Sequence, residues 1–465
     1  MDLDEGINLV KAQMVLRDYS LYSQVWSDQP PFLTYLLAVI LHFFGMEASV
    51  GRVLVLLLAC GLIWAYIHYL KIVWGKWHAV SGFILLILVP RFIELSVSVM
   101  VGLPAIIFAV FSMLALTNWH IHRKYSWIVI SAVLLAVSTL TKIFTAFLAP
   151  IFLVGLFWGE YAQFSEGKII KNNIRPALIW GGIFTIAVAI PLLLTVGPGN
   201  FDQLFGNHLD AAGLATYRSD PDYWLGTQLI AARPLLLLAF LGIVSAVLSK
   251  RWLALYPAFW MVSAYLLLWR HVPVWSHQQL LVTIPAAFMA AGAVGEALNR
   301  FVPGLRSRNK FTKRDLIHLA STGLFVYILL VQTPVTIAPF QTSPIIAAPR
   351  YKQTTTEAKF MKIVLQYAAD TQWMVTDIPM YAFYADIPVP PNLVVFSSKR
   401  LETGNLTEEQ IIRTIEAVGA EQVLLGRNEL PVIRDYLRKN YQLVHSKDLI
   451  ELYVSRDIIS ASQPP

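Results

Sequence analysis

Residues 32–338 form a succession of apolar runs broken by short polar stretches, whereas 339–465 mixes polar and apolar positions as a soluble domain does. A helix that crosses a bilayer needs roughly 17 to 25 mainly apolar residues. The stretches near that requirement are 50–72, 79–95, 103–119, 127–141, 144–158, 176–196, 228–248, 252–269, 278–297 and 316–337. They predict about ten spans, several of them short.

The polar breaks between these runs set an orientation, because cytoplasmic loops carry the excess of Lys and Arg. Alternate breaks hold Lys71 and Lys76; Arg123 and Lys124; Lys168, Lys171 and Arg175; Lys250 and Arg251; and finally Arg300, Arg306, Arg308, Lys310, Lys313 and Arg314. The intervening breaks are neutral or acidic, with Asp202, Asp210, Asp220 and Asp222. An even number of spans then puts the N-terminal segment and the C-terminal domain on the same outer side. This count requires PFLTYLLAVILHFFG (31–45) to lie at the outer interface without crossing, and its run is shorter than most spans. Residues 5–19 place Ile7, Val10 and Met14 near helical spacing among Lys11, Arg17 and Asp18, an amphipathic pattern. Residues 1–49 are therefore expected to form an outer juxtamembrane segment whose helices present a polar surface at the bilayer's outer face.

Within 339–465, residues 351–369 have a helical pattern, WMVTD (373–377) is a short apolar run stopped by Pro379, and 388–392 is rich in turn formers. Thr407 with Gln410 makes a capping box for a helix over 408–418. QVLLG (422–426) reads as a strand, 429–439 as a helix and LIELYVS (449–455) as a closing strand. The region is a small α/β domain with no Gly-rich phosphate loop and no triad-like arrangement, and no chemistry of its own is assigned to it. The expected fold is a polytopic α-helical membrane protein with outer juxtamembrane helices, spanning 1–338, followed by a small C-terminal α/β extracytoplasmic domain over 339–465.

Composition agrees. The chain is 56% hydrophobic and 14% charged with mean hydropathy +0.58, against roughly 45 to 50% apolar and about 25% charged in soluble proteins. The net charge of +7 resides mostly in the short basic loops, where orientation signals belong, and this argues against nucleic-acid binding. The single cysteine, Cys60, lies in an apolar run, so neither an intrachain disulfide nor a cysteine zinc site can form. No cluster of His and carboxylates indicates a divalent metal, and no cofactor is implied.

Asp4 and Glu5 stand immediately ahead of the first amphipathic stretch. Alone, such a pair reads as a solvated helix start, where carboxylates favour the positive dipole end. Held beside an acceptor hydroxyl at a partly dry site, one of them would be a general base. The predicted topology puts cationic candidates on the same side: Lys142 in a tight outer turn, Arg270 and His271 closing a span, His277 after Trp275 and Ser276, and His208 in the outer loop FGNHLDAAGLATY. Each by itself reads as snorkelling to the interface. Several at one level, opposite a carboxylate pair, favour a site for an anionic lipid headgroup.

These residues carry a resemblance. DEG ahead of an amphipathic stretch, then SDQPPFLTYLLAVILHFFG, then GRVLVLLLA, is similar to the start of GT-C glycosyltransferases, the family-39-like relatives of protein O-mannosyltransferases and lipid A aminoarabinose transferases. STLTKIFTAFLAP resembles their Leu-Thr-Lys turn, FGNH their outer loop, and WSHQQLLVTIPAAFMAAG their late span. The resemblance covers the membrane domain to about Gly292. It implies a plasma (inner) membrane enzyme taking sugar from a polyprenyl-phosphate donor and passing it, with inversion, to a hydroxyl of a glycan, lipid or protein acceptor. Asp4 would be the general base with Glu5 assisting. Lys142, His208, Arg270, His271 and His277 would hold the lipid phosphate, with Tyr35 in the tyrosine-containing segment also binding substrate. The pattern departs from the family at Gln29, where many members have Lys, and at MVGLPA, where Gly102 and Leu103 replace an acidic residue unless Glu94 substitutes. The span that normally precedes the Asp-Glu pair is also missing, and a truncated start is expected. A transporter or flippase of lipid-linked sugars and an inactive membrane scaffold are the alternatives. The lack of an internal repeat and the one-sided polar groups favour the enzyme over the transporter.

Overall fold

A computed structural model describes residues 3–161, 174–271, 273–304, 313–342 and 356–462. The basic positions Lys168, Lys171, Arg306, Arg308 and Lys310, and 351–355 of the predicted C-terminal helix, lie outside the described residues. Helix α1 is Leu3–Leu16 and α2 is Phe32–Phe44. The following helices are α3 Ala48–Val73, α4 Lys76–Ile87, α5 Phe92–Leu95, α6 Gly102–His122 and α7 Tyr125–Thr141. Next come α8 Leu148–Tyr161, α9 Arg175–Thr195, α10 Phe201–Gly213, α11 Ala215–Ser219 and α12 Leu225–Gln228. The helical part closes with α13 Arg233–Leu248, α14 Tyr256–Arg270, α15 Leu280–Gly304 and α16 Lys313–Thr342.

Among the described residues seven helical segments are long and apolar enough to cross a membrane: Ala48–Val73, Gly102–His122, Arg175–Thr195, Ile230–Leu248, Trp252–Arg270, Ser276–Phe301 and Asp315–Thr336. The sequence reading expected about ten. The difference lies in Lys76–Ile87, Tyr125–Thr141 and Ile143–Leu156, which coincide with three predicted spans but are shorter. Two of these short helices stop at breaks that line a cavity: after α4 the chain turns at Arg91 in a left-handed conformation, φ 64°, and α7 ends at Lys142. Segments 276–301 and 102–122 form the centre of the bundle, whereas 175–195 and 315–336 leave most of their apolar surface outward, as lipid-facing helices do. Small residues let the central helices approach closely. Gly242 of α13 lies against the Met289 carbonyl of α15 with no room for a Cβ.

The C-terminal domain is a four-stranded sheet of order β1-β2-β4-β3, with β1 Met374–Thr376, β2 Gln422–Leu425, β3 Tyr441–Lys447 and β4 Ile450–Ser455. β1 and β2 are parallel and the other pairs antiparallel. Its helices are α17 Thr356–Gln366, α18 Met380–Tyr384, α19 Ser398–Glu402, α20 Glu408–Val418, α21 Pro431–Asn440 and α22 Arg456–Ser462. The capping box of α20 is formed, with Gln410 N donating to Thr407 Oγ1 and Thr407 N to Gln410 Oε1. β3 escaped the sequence reading because it is an edge strand exposed along most of its length, so Gln442, His445, Ser446 and Lys447 interrupt any apolar alternation.

Helix α1 differs most from expectation. Instead of presenting a polar surface, it is buried on nearly every face, with Glu5, Asn8, Lys11 and Gln13 as enclosed as Leu9 and Met14. It lies between α2 and α18, and one apolar cluster runs from Leu9, Val10 and Leu37 into Phe360, Tyr381 and Val423 of the C-terminal domain. Gly6 makes this possible: a Cβ there would fall 2.8 Å from Met380 Cγ and 2.9 Å from Met380 N. An apolar contact of this extent holds the helix, and its buried polar residues reach partners on other elements, Asn8 to Val99, Lys11 to Ser27 and Gln13 Nε2 to Asp386.

Candidate active site

Glu5 fixes the start of α1. Its carboxylate accepts from Arg52 Nε at 2.8 Å and Nη2 at 2.6 Å, and from Val99 N at 3.2 Å, while Asn8 Nδ2 donates to Val99 O at 2.9 Å. A fork-to-carboxylate pair of this geometry sets orientation as well as charge. The preceding residue, Asp4, is thereby turned toward a cavity of about 650 Å³ enclosed by α1, the loops at the cavity end of the bundle and the C-terminal domain.

Lys142 enters that cavity because α7 ends there, the Lys142 backbone turning extended at φ −148°. Its side chain is buried, and Gly102 at the start of α6 leaves Lys142 Nζ and His277 Cδ2 3.8 and 3.9 Å from where a Cβ would be. His277 Nδ1 is 3.9 Å from Asp4 Oδ2. Phe144 joins the histidines, its ring 5.7 Å from that of His208 and 4.8 Å from that of His271. Lys142 Nζ lies 5.8 Å from the same ring. On the opposite wall are Asp28, Lys11 and, from the C-terminal domain, Lys399 and Arg427.

Burial governs the protonation of these groups. It pulls Lys142 down to about 8, with Asp4 and Asp28 only partly opposing, and it lowers Lys11 as well. It also brings His208 and His271 to about 4, so both are neutral near pH 7. Asp28 goes the other way: burial would raise it, but Lys399, His208 and Lys11 together hold it below the usual carboxylate range.

Of the residues picked out from the sequence, Asp4, Lys142, His208, His271 and His277 meet at this cavity. Three do not line it. Glu5 is committed to Arg52, Arg270 is exposed at the end of α14 with its guanidinium 5.8 Å from the Trp269 ring centroid, and Tyr35 is on α2 with 39% of its surface exposed. Glu94 pairs with Arg91 at 2.5 Å and does not line the cavity, so it does not stand in for an acidic residue at Gly102. Asp28, Lys11, Arg91 and Lys399 were missed. Asp28 and Lys399 are pulled together across 371 positions, and no local pattern marks such a pair. Among the described residues no group of three or more His, Cys, Asp or Glu is placed to hold a metal ion.

The helical bundle, the small sheet domain and a polar cavity between them define a multi-pass membrane protein with the fold of GT-C glycosyltransferases. The comparisons agree with the motifs. The family described as dolichyl-phosphate-mannose-protein mannosyltransferase matches residues 28–194. The structure is similar to that of ArnT from Cupriavidus metallidurans bound to undecaprenyl phosphate, with a TM-score of 0.61 at 12% identity, over 99% of this chain and 95% of that one. Its similarity to the apo state of the same protein has a TM-score of 0.58 at 12% identity, over 99% and 94% of the two chains. No curated protein matches the sequence.

Proposed function

We propose that this protein transfers a sugar from a polyprenyl-phosphate donor to an acceptor hydroxyl, with inversion at the anomeric carbon, at the outer face of the plasma (inner) membrane. The observation that carries the proposal is the convergence of Asp4, Lys142 and His277 on one cavity, from three separate parts of the chain. The undecaprenyl phosphate bound to ArnT supports the donor class.

Asp4 is the general base that takes the proton of the attacking hydroxyl. The new bond forms at the anomeric carbon from the face opposite the phosphate. The carbon–oxygen bond to phosphate breaks, and its electron pair leaves on the phosphate oxygen. Lys142 stabilises that growing charge from a desolvated position, where an electrostatic contact acts most strongly. His277, whose Nδ1 is 3.9 Å from Asp4 Oδ2, lines the same cavity beside the base. Glu5 acts on this reaction through α1, as a positioning residue. The lipid brings its own leaving group, so no nucleotide site is required.

The orientation rests on the two ends of the bundle. Arg251 donates to the Val73 and Trp74 carbonyls and pairs with Glu296. These groups are at the far end of α3 from Arg52, which marks the cavity end. The breaks holding Lys71 and Lys76 and Lys250 and Arg251 thus share one side, and the positive-inside rule applied to them supports a cavity and C-terminal domain on the outer side. In membranes containing the wild-type protein, an undecaprenyl-phosphate-linked sugar is expected to be consumed with release of undecaprenyl phosphate. Membranes containing Asp4→Asn at equal abundance are expected to release none. Equal release from both would overturn the base assignment, and movement of intact donor without release would favour a carrier of lipid-linked sugars.

A further inference from the structure

The C-terminal domain supplies a wall of the cavity through two short segments held together inside the domain. The buried Asp377 carboxylate accepts from the backbone N–H groups of Gly426, Arg427 and Asn428 and from Asn428 Nδ2, at 2.9 to 3.1 Å. Asn428 Oδ1 in turn accepts from Ser398 Oγ at 2.7 Å, which fixes the residue next to Lys399. α19 is therefore seated firmly, and Lys399 extends from it into the cavity.

There Lys399 Nζ donates to Asp28 Oδ2 at 2.7 Å and lies 3.3 Å from His208 Nδ1. His208 Nε2 is 3.3 Å from the Asp28 carbonyl, an acceptor, so Nε2 carries the proton and Nδ1 receives the lysine. Lys399 and Asp28 are each 12% exposed. Lys11, Arg91, Lys142, Lys399 and Arg427 thus line the cavity against Asp4, Asp28 and Glu357, an excess of basic side chains in a partly dry space. Asp28 is the anion that holds Lys399 in the absence of another. A phosphate ester offers more acceptor oxygens. Its charge also grows from one toward two negatives as a phosphodiester loses its glycosyl group.

We infer that Lys399 is a second phosphate-binding residue, delivered by the C-terminal domain to the cavity of Lys142, and that Asp28 holds it in place until a phosphate ester takes over the contact. The soluble domain then completes the donor site and does more than cover it. This inference rests on the polyprenyl-phosphate donor proposed above.

The test is binding of undecaprenyl phosphate to the purified full-length protein in nanodiscs, read by tryptophan fluorescence, since Trp275 lines the cavity. Lys399→Met is expected to weaken binding about tenfold, the scale of one hydrogen bond to a charged group. Lys399→Arg should retain most of it. Asp28→Asn, which releases Lys399 and removes the competing charge, should tighten binding. Undecaprenol, which lacks the phosphate, should bind every variant alike. If the ion pair merely ties the domain down, Lys399→Met and Asp28→Asn will weaken binding together, and the inference falls. It falls also if Lys399→Met has no effect, or if its effect persists with undecaprenol. Failure of the wild-type protein to bind undecaprenyl phosphate at all would instead remove the functional reading, and this inference with it.

Discussion

Two adjacent carboxylates should give opposite phenotypes. Asp4 is 48% exposed at the cavity edge, so Asp4→Asn removes charge from a wet side chain and should change stability by no more than about 0.5 kcal/mol. Its loss as a general base should slow transfer by about 10²- to 10⁴-fold. Glu5 is 3% exposed and Arg52 13%, and the pair is bidentate, with a backbone donor added from Val99. Glu5→Gln leaves the guanidinium buried without its counter-ion, which costs about 3 kcal/mol or more. The expected pattern is an Asp4→Asn protein that melts like wild type but does not turn over, and a Glu5→Gln protein that melts early. At temperatures where it remains folded, Glu5→Gln should lose activity only as far as α1 shifts. Donor turnover and the thermal midpoint, measured on the same preparations, decide the matter. A Glu5→Gln protein of wild-type midpoint with abolished turnover would refute the assignment of roles, as would an Asp4→Asn protein with an equally lowered midpoint.

Three further outcomes follow from the same geometry. Gly6→Val should drive α1 from Met380, costing about 1–3 kcal/mol as overpacking does, and should lower the thermal midpoint and turnover together. Lys142 titrates near 8 because burial disfavours its charge; affinity for undecaprenyl phosphate should therefore fall as pH rises through about 8, and Lys142→Met should abolish that dependence. His208 and His271 are held near 4, below the ordinary value of 6.5, by burial. The unfolded chain binds more protons between those limits, so their contribution to stability is present above about 6.5 and is lost as pH falls toward 4; His208→Gln with His271→Gln should flatten the acid side of a stability–pH curve.

The membrane domain was legible because a bilayer demands long apolar stretches and sorts basic loops to one side, and both demands are written in consecutive residues. So were the capping box at Thr407, the strands around Val423 and Leu452, and Asp4, Lys142, His208, His271 and His277, whose unusual placement beside apolar runs drew notice residue by residue. The Asp-Glu pair was legible, with Asp4 expected as base and Glu5 as its assistant, but the commitment of Glu5 to Arg52 was not. Only folding turns Glu5 onto Arg52 and leaves Asp4 at the cavity, since neighbouring residues on a helix point about 100° apart and each side of α1 meets a different partner. The burial of α1 itself, the short helices that stop at Arg91 and Lys142, and the pairing of Asp28 with Lys399 were likewise decided in three dimensions. Amphipathic spacing cannot say what covers the polar face, and an ion pair between residues 371 positions apart leaves no periodic trace. The chain order determined that this protein lives in a membrane and which side chains are chemically able. The packing of a soluble domain onto the first helix decided which of them share a cavity.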